Sequence, residues 1–172
     1  MKLSISLITL LFSSTLVAAE GLSFFSNGQK VLDAKGGQVH GDNPLTYCKA
    51  DHSSDILQLD HVNLNPNPPT AGNKLTIEAV GTLSKKLEKG AYVILQVKYG
   101  LIRLINMQQD LCDQVSNVDL DCPIDEGKIT ITKDVDLPRE IPPGTYTVFA
   151  DAYTKDGNDH IICLEATVTF SR

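Results

Sequence analysis

The chain of 172 residues has no tryptophan, few aromatic side chains and only four cysteines. Antibody-type sandwiches pack a tryptophan on the bridge between their sheets, so that core is excluded. The cysteines form no C-x-x-C pair, which removes the usual spacing of a structural zinc site. Gly-x-Ser-x-Gly, His-Glu-x-x-His and a phosphate-cradling glycine loop are all missing. The Asp-His neighbours at 51–52, 60–61 and 159–160 therefore have no nucleophile to activate, and His40, His52, His61 and His160 are expected at the surface. The acidic run "DLDCPIDEGK", with Asp119, Asp121, Asp125 and Glu126, lacks the glycine and closing glutamate of an EF-hand loop and reads as a solvated turn. No enzyme, catalytic residue, cofactor or metal is expected.

Positive charge is also scarce, with 15 Lys and Arg against 21 Asp and Glu. An acidic chain without a basic stripe or an aromatic platform repels nucleic acid, so nucleic acid is excluded as a partner. No Asn-x-Ser/Thr sequon, internal repeat or heptad is present.

What is present begins with "MKLSISLITLLFSSTLVAAE", one lysine followed by a short apolar run and small residues. That pattern predicts a signal peptide over 1–19, too short for a membrane span. Residues 20–43, rich in Gly, Ser and Asn, are expected to be a loosely ordered lead-in or pro-segment with one edge strand near Val31, and 44–172 to be a single domain. An exported chain with four cysteines predicts two disulfides, for which counting allows three pairings. A local clip between Cys112 and Cys122 is the simplest choice, and it leaves Cys48 with Cys163.

From Cys48 onward, apolar and polar residues alternate in short runs broken by turn signals. "ILQLDHVNLNP", "KLTIEAVGTLS", "AYVILQVKY", "LIRLINM", "KITITKDVDL", "TYTVFADAY" and "IICLEATVTF" make seven strand-like segments, and no amphipathic helix is evident. The expected fold is all-β, an immunoglobulin-like two-sheet antiparallel sandwich. One stretch breaks the alternation. Past Gly100, Leu101, Ile102, Leu104 and Ile105 are all apolar with only Arg103 among them. Either a central strand buried on both sides, or one crossing between sheets at a glycine bend, accounts for this, or splayed sheets line a cavity for an apolar guest.

The ordered set "NPLTYC", "DILQLDHVNLNPNPPTAGNKLTIEAVGTL", "VKYGLIRLI", "DLCDQVSNVDLDCPI", "LPREIPPGTYTVFADAY" and "HIICLEATVTF" resembles the ML lipid-recognition domain family over about residues 43 to 170. Within that family it is similar to the fungal phosphatidylglycerol/phosphatidylinositol transfer proteins, which are related to the Niemann-Pick type C luminal sterol carriers. The resemblance implies a sandwich with a lipid cavity between its sheets and the same two bridges, Cys48 with Cys163 and Cys112 with Cys122. Animal members carry a third bridge where "NPNPPTAG" stands here, and their pocket tryptophans have no counterpart in this chain.

The lining is expected from Leu95, Val97, Tyr99, Leu101 and Ile105 on one sheet, with Tyr146, Val148, Ala150, Leu164, Ala166, Val168 and Phe170 opposite. Small Ala150 and Ala166 would leave room. Pro142 and Pro143 would hold the entrance open where "REIPPG" meets the loop after Ile105, with Arg139 or Lys98 near a headgroup. The implied function is a monomeric, non-enzymatic carrier of a phospholipid or sterol, in transient contact with membranes, in a vacuole lumen or outside the cell. The alternative is a secreted recognition or adhesion module without transfer activity.

Overall fold

The computed structural model describes residues 36–116 and 120–171. The signal peptide, the strand near Val31 and Asp119 lie outside them.

Alternation is what makes the walls. In β6 (Gly127–Asp136), half-buried Ile129, Ile131, Lys133 and Val135 alternate with exposed Lys128, Thr130, Thr132 and Asp134. A strand with one wet face reads this way because successive side chains point to opposite sides. β6 pairs antiparallel with β3 (Lys74–Leu83), which pairs with β2 (Leu57–Asn65), and the three form one sheet in the order β2-β3-β6. The second sheet has the order β1-β8-β7-β4-β5, from β1 (Leu45–Tyr47), β8 (His160–Phe170), β7 (Gly144–Tyr153), β4 (Tyr92–Tyr99) and β5 (Ile102–Asp110). The expected antiparallel sandwich is what folds, with short β1 added to the seven anticipated strands. One five-residue helix, α1 (Leu111–Val115), opens the cysteine loop and is capped by the Asp110 carboxylate, which accepts from the Cys112 and Asp113 amides.

Residues 36–43, expected as lead-in, pack into the domain instead. Val39 is fully buried. The buried Asn43 amide donates to the carbonyls of Val39, His40 and Val62, and its oxygen accepts from the Leu45 amide. A side chain that satisfies this many backbone groups orders the segment, which composition alone could not reveal.

The dense core occupies one end of the sandwich. There Ile56, Leu83, Leu87, Ala91, Ile124, Ala152, Ile161 and Ile162 are buried together. The disulfides are Cys48–Cys163 and Cys112–Cys122, closing spans of 115 and 10 residues. In the chain-entropy picture these restrict the unfolded chain by about 5 and about 3 kcal/mol respectively.

His160, expected at the surface, lies inside this end. Its Nδ1 meets Asp55 Oδ1 at 2.5 Å and its Nε2 meets Asp151 Oδ1 at 2.8 Å, with the three side chains 17%, 7% and 15% exposed. Asp159, its sequence neighbour, instead pairs with Lys85 at 2.9 Å. Tyr153 donates to Asp151 Oδ2. Burial, then that hydrogen bond and the charge of Asp151, push the Tyr153 phenol up to about 12. A phenol raised in the folded state favours folding below its unfolded value of about 10, and that advantage disappears as pH climbs through 12.

Replacing His160 by Ala leaves two nearly buried carboxylates facing one another. The expected loss is about 3–5 kcal/mol in chemical denaturation at neutral pH. Breaking the exposed Lys74–Asp134 pair, at 3.1 Å, should move the same denaturation midpoint far less, because water and salt screen it.

Candidate functional site

Register places the inward rows. On the five-stranded sheet, Val93 stands beside Ala152 and Ile162 at the closed end. Next come Leu95, Ala150 and Leu164, then Val97, Val148 and Ala166, and finally Tyr99, Tyr146 and Val168. Ile105 pairs with Val97, and Phe170 lies beyond Val168 against Gly144. Eleven of the thirteen expected positions thus share one face of a single sheet by register, and Pro142 joins Tyr99 and Tyr146 around a hollow at its end. The exception is Leu101, which occupies the two-residue β4–β5 turn, fully exposed. The turn fits Gly100, whose φ of 55° suits the first place of a tight hairpin, and it pushes the next side chain outward.

The two groups expected on opposing walls are neighbours in a single sheet. The facing wall is the three-stranded sheet, which contributes Leu57, Leu59, Val62, Ile77, Ala79, Ile129 and Ile131 to a hollow of about 250 Å³ that also touches Leu45 and Leu164. A deeper hollow of about 170 Å³ shares Leu57, Ile129 and Ile131 and reaches Ala152 and Ile162. The apolar periodicity of β2 and β3 was visible in the sequence. What it could not supply was the partner of each strand, and hence which strands face each other.

Many inward side chains remain unfilled. Leu59, Leu64, Ile77, Leu95, Val97, Val148 and Leu164 are all half-buried, as are Leu57 and Val93 nearer the closed end, whereas Leu83, Ala152 and Ile162 there are buried. Backbone approach between the sheets is concentrated where β2 meets β8. Native interiors normally pack to crystal density, so a row of partly exposed aliphatic side chains between two sheets is room for a guest. From Ile162 to Val168 the inner face runs about 20 Å at about 3.4 Å per residue. One leaflet of a bilayer's hydrocarbon core is about 15 Å, so the run matches an acyl chain in length.

At the open end a third hollow of about 470 Å³ is lined by Tyr99, Leu104, Pro138, Glu140, Ile141, Pro142 and Tyr146. The Tyr99 hydroxyl donates to the Pro143 carbonyl at 2.9 Å, and the Tyr146 hydroxyl to that of Pro142 at 3.0 Å. The two rings lie 5.1 Å apart, and Phe170 meets Tyr146 edge-on at 5.6 Å. Gly144 permits this packing, since a Cβ there would collide with the Tyr99 ring. The other side of this mouth is the β4–β5 hairpin, not a loop after Ile105, because β5 continues to Asp110.

A bulge explains the broken alternation after Gly100. Val97 pairs with Ile105 but Lys98 pairs with Arg103, so Leu104 is extra and turns into the mouth. β5 is an edge strand, so its surplus apolar residues are not buried on both sides, and Ile102 and Leu104 stay largely exposed. In the facing sheet Lys133 occupies the inward row beside Ile77, toward the mouth. Asp125 of the acidic turn pairs with Lys86 at 2.8 Å, and no cluster fit for a metal occurs among the described residues.

The family model of the ML domain matches residues 42–170. The chain belongs to the ML-domain family. A phosphatidylglycerol/phosphatidylinositol transfer protein of Pyricularia oryzae is 60% identical over 135 residues, 78% of this chain and 75% of its own. One of Emericella nidulans is 53% identical over 167 residues, 96% of this chain and 97% of its own. A Niemann-Pick type C2 protein from the Japanese carpenter ant shares the fold, with a TM-score of 0.50 and 10% identity over 70% of this chain and 97% of that one.

Enlarging Ala150 in this ML domain tests the unfilled space. In a packed core Ala150→Leu would cost about 1–3 kcal/mol by overpacking. Here lipid-free protein should change by about 0.5 kcal/mol or less in chemical denaturation, while its capacity for a bound acyl chain falls.

Proposed function

We propose that this ML domain is a soluble, non-enzymatic carrier that takes one phospholipid, phosphatidylglycerol or phosphatidylinositol, between its sheets and moves it between membranes. The observation that carries this reading is the half-buried apolar lining between two sheets whose backbones approach, among the described residues, mainly where β2 meets β8. The relatives' names, which specify these two lipids, favour a phospholipid over a sterol, and the lack of tryptophan in the lining agrees with that preference.

The physical task is to lower a desorption barrier. Each CH₂ exposed to water costs about 0.8 kcal/mol, so a two-chain lipid leaves a bilayer slowly unless side chains replace the membrane around it. Twelve of the residues named for the lining, Leu95, Val97, Tyr99, Ile105, Tyr146, Val148, Ala150, Leu164, Ala166, Val168, Phe170 and rim residue Pro142, would do so from one wall. Leu59, Ile77 and Ile131 would do so from the other. The headgroup would remain at the mouth, where Arg139 and Lys133 can approach a phosphate. The carrier would act as a monomer, touch membranes transiently and bind no nucleic acid. The two disulfides suit an oxidising compartment, and we place the protein on the secretory route after removal of residues 1–19, in a vacuole lumen or outside the cell.

Organic extraction of purified protein followed by mass spectrometry should recover about one phospholipid per chain, and added protein should speed movement of fluorescent phosphatidylglycerol between vesicles. Protein free of lipid that fails to accelerate exchange would contradict the reading, and capture of a protein ligand instead would favour a recognition module.

A further inference from the structure

We propose that the tip of the β4–β5 hairpin is the element with which the protein docks on an anionic lipid bilayer. This rests on the carrier reading above and specifies how the mouth meets a membrane. Leu101, Ile102 and Leu104 are 102%, 63% and 55% exposed, the large apolar side chains most open to water among the described residues. All three belong to one turn and its bulge, and Leu104 also lines the mouth. Isolated exposed leucines are ordinary, but three within four residues at the rim of an apolar hollow form a surface that water does not explain.

The charges at this edge identify the occupant. Lys98 and Arg103 face one another across β4 and β5. Like charges directly opposed on a sheet destabilise it. Their row continues through Thr147 and Thr167, so no carboxylate lies beside them along it. Neither residue makes an ion pair among the described residues, and Arg139 on the opposite rim makes none either. In a chain with 21 acidic residues against 15 basic ones, two cations without carboxylate partners beside the apolar tip, with Arg139 next to Glu140 on the opposite rim, complement a layer of lipid phosphates above hydrocarbon. Apolar side chains entering the bilayer beside cations at headgroup depth are the two terms that hold peripheral proteins on membranes.

The test uses full-length mature protein and vesicles of phosphatidylcholine with or without phosphatidylglycerol. Wild type should bind the anionic vesicles more tightly, with affinity falling as salt rises. A cation near such a surface is worth about fivefold in affinity, so Lys98→Glu with Arg103→Glu should weaken binding to anionic vesicles by at least about tenfold and remove the preference. Leu101→Ser with Ile102→Ser should weaken binding to both vesicle types by at least about tenfold. These exposed substitutions should leave the thermal midpoint unchanged. Extracted lipid is measured in parallel. Variants that keep their lipid but bind vesicles poorly support the proposal. Variants that keep lipid and bind vesicles like wild type overturn it while leaving the carrier reading intact. Wild type without lipid that still docks through the tip would remove the carrier reading and retain the docking edge. Unchanged vesicle binding together with a loss of self-association would assign the tip to a second copy of the chain and overturn the proposal.

Discussion

Two sheets are held at one end and kept from closing at the other. The closed end has the buried cluster around Leu83 and Ile161, both disulfides, and the His160 ring fixed between Asp55 and Asp151. Toward the mouth, inward aliphatic side chains forgo contacts they would make in a filled core, and each forfeited contact is dispersion energy left unused. A guest with acyl chains would supply it.

Aromatic side chains set the boundary between the hollow and the outside. Tyr99, Tyr146 and Phe170 form a layer across the last inward row, and both phenols are tethered to carbonyls of the Pro142–Pro143 rim. Amphipathic rings suit a place where one end meets hydrocarbon and the other meets water or headgroups. The rim is therefore held by hydrogen bonds from the strands beneath it, and it stays open without being loose.

Period-two alternation made "KITITKDVD" and "TYTVFADAY" readable as strands with one wet side, and the spacing of Cys112 and Cys122 made a local bridge readable too. The identity of the far wall was not legible, because periodicity gives the face of each strand but not its partner. Residues from β4, β5, β7 and β8 were expected to oppose one another, and they lie side by side. Leu101 is placed by a two-residue turn and Leu104 by a one-residue bulge, features of pairing and not of composition. His160 was misread as a surface histidine because its partners are 105 and 9 residues away, while the tempting neighbour Asp159 points to Lys85.

The most direct measurement is paramagnetic broadening of methyl signals in protein loaded with phosphatidylglycerol spin-labelled on an acyl chain. Methyls of Leu59, Ile77, Leu95, Val97 and Leu164 should broaden more strongly than those of Leu83 and Ile161 at the closed end. Broadening confined to Leu101 and Ile102 at the tip, with the interior untouched while lipid is bound, would contradict a chain held between the sheets.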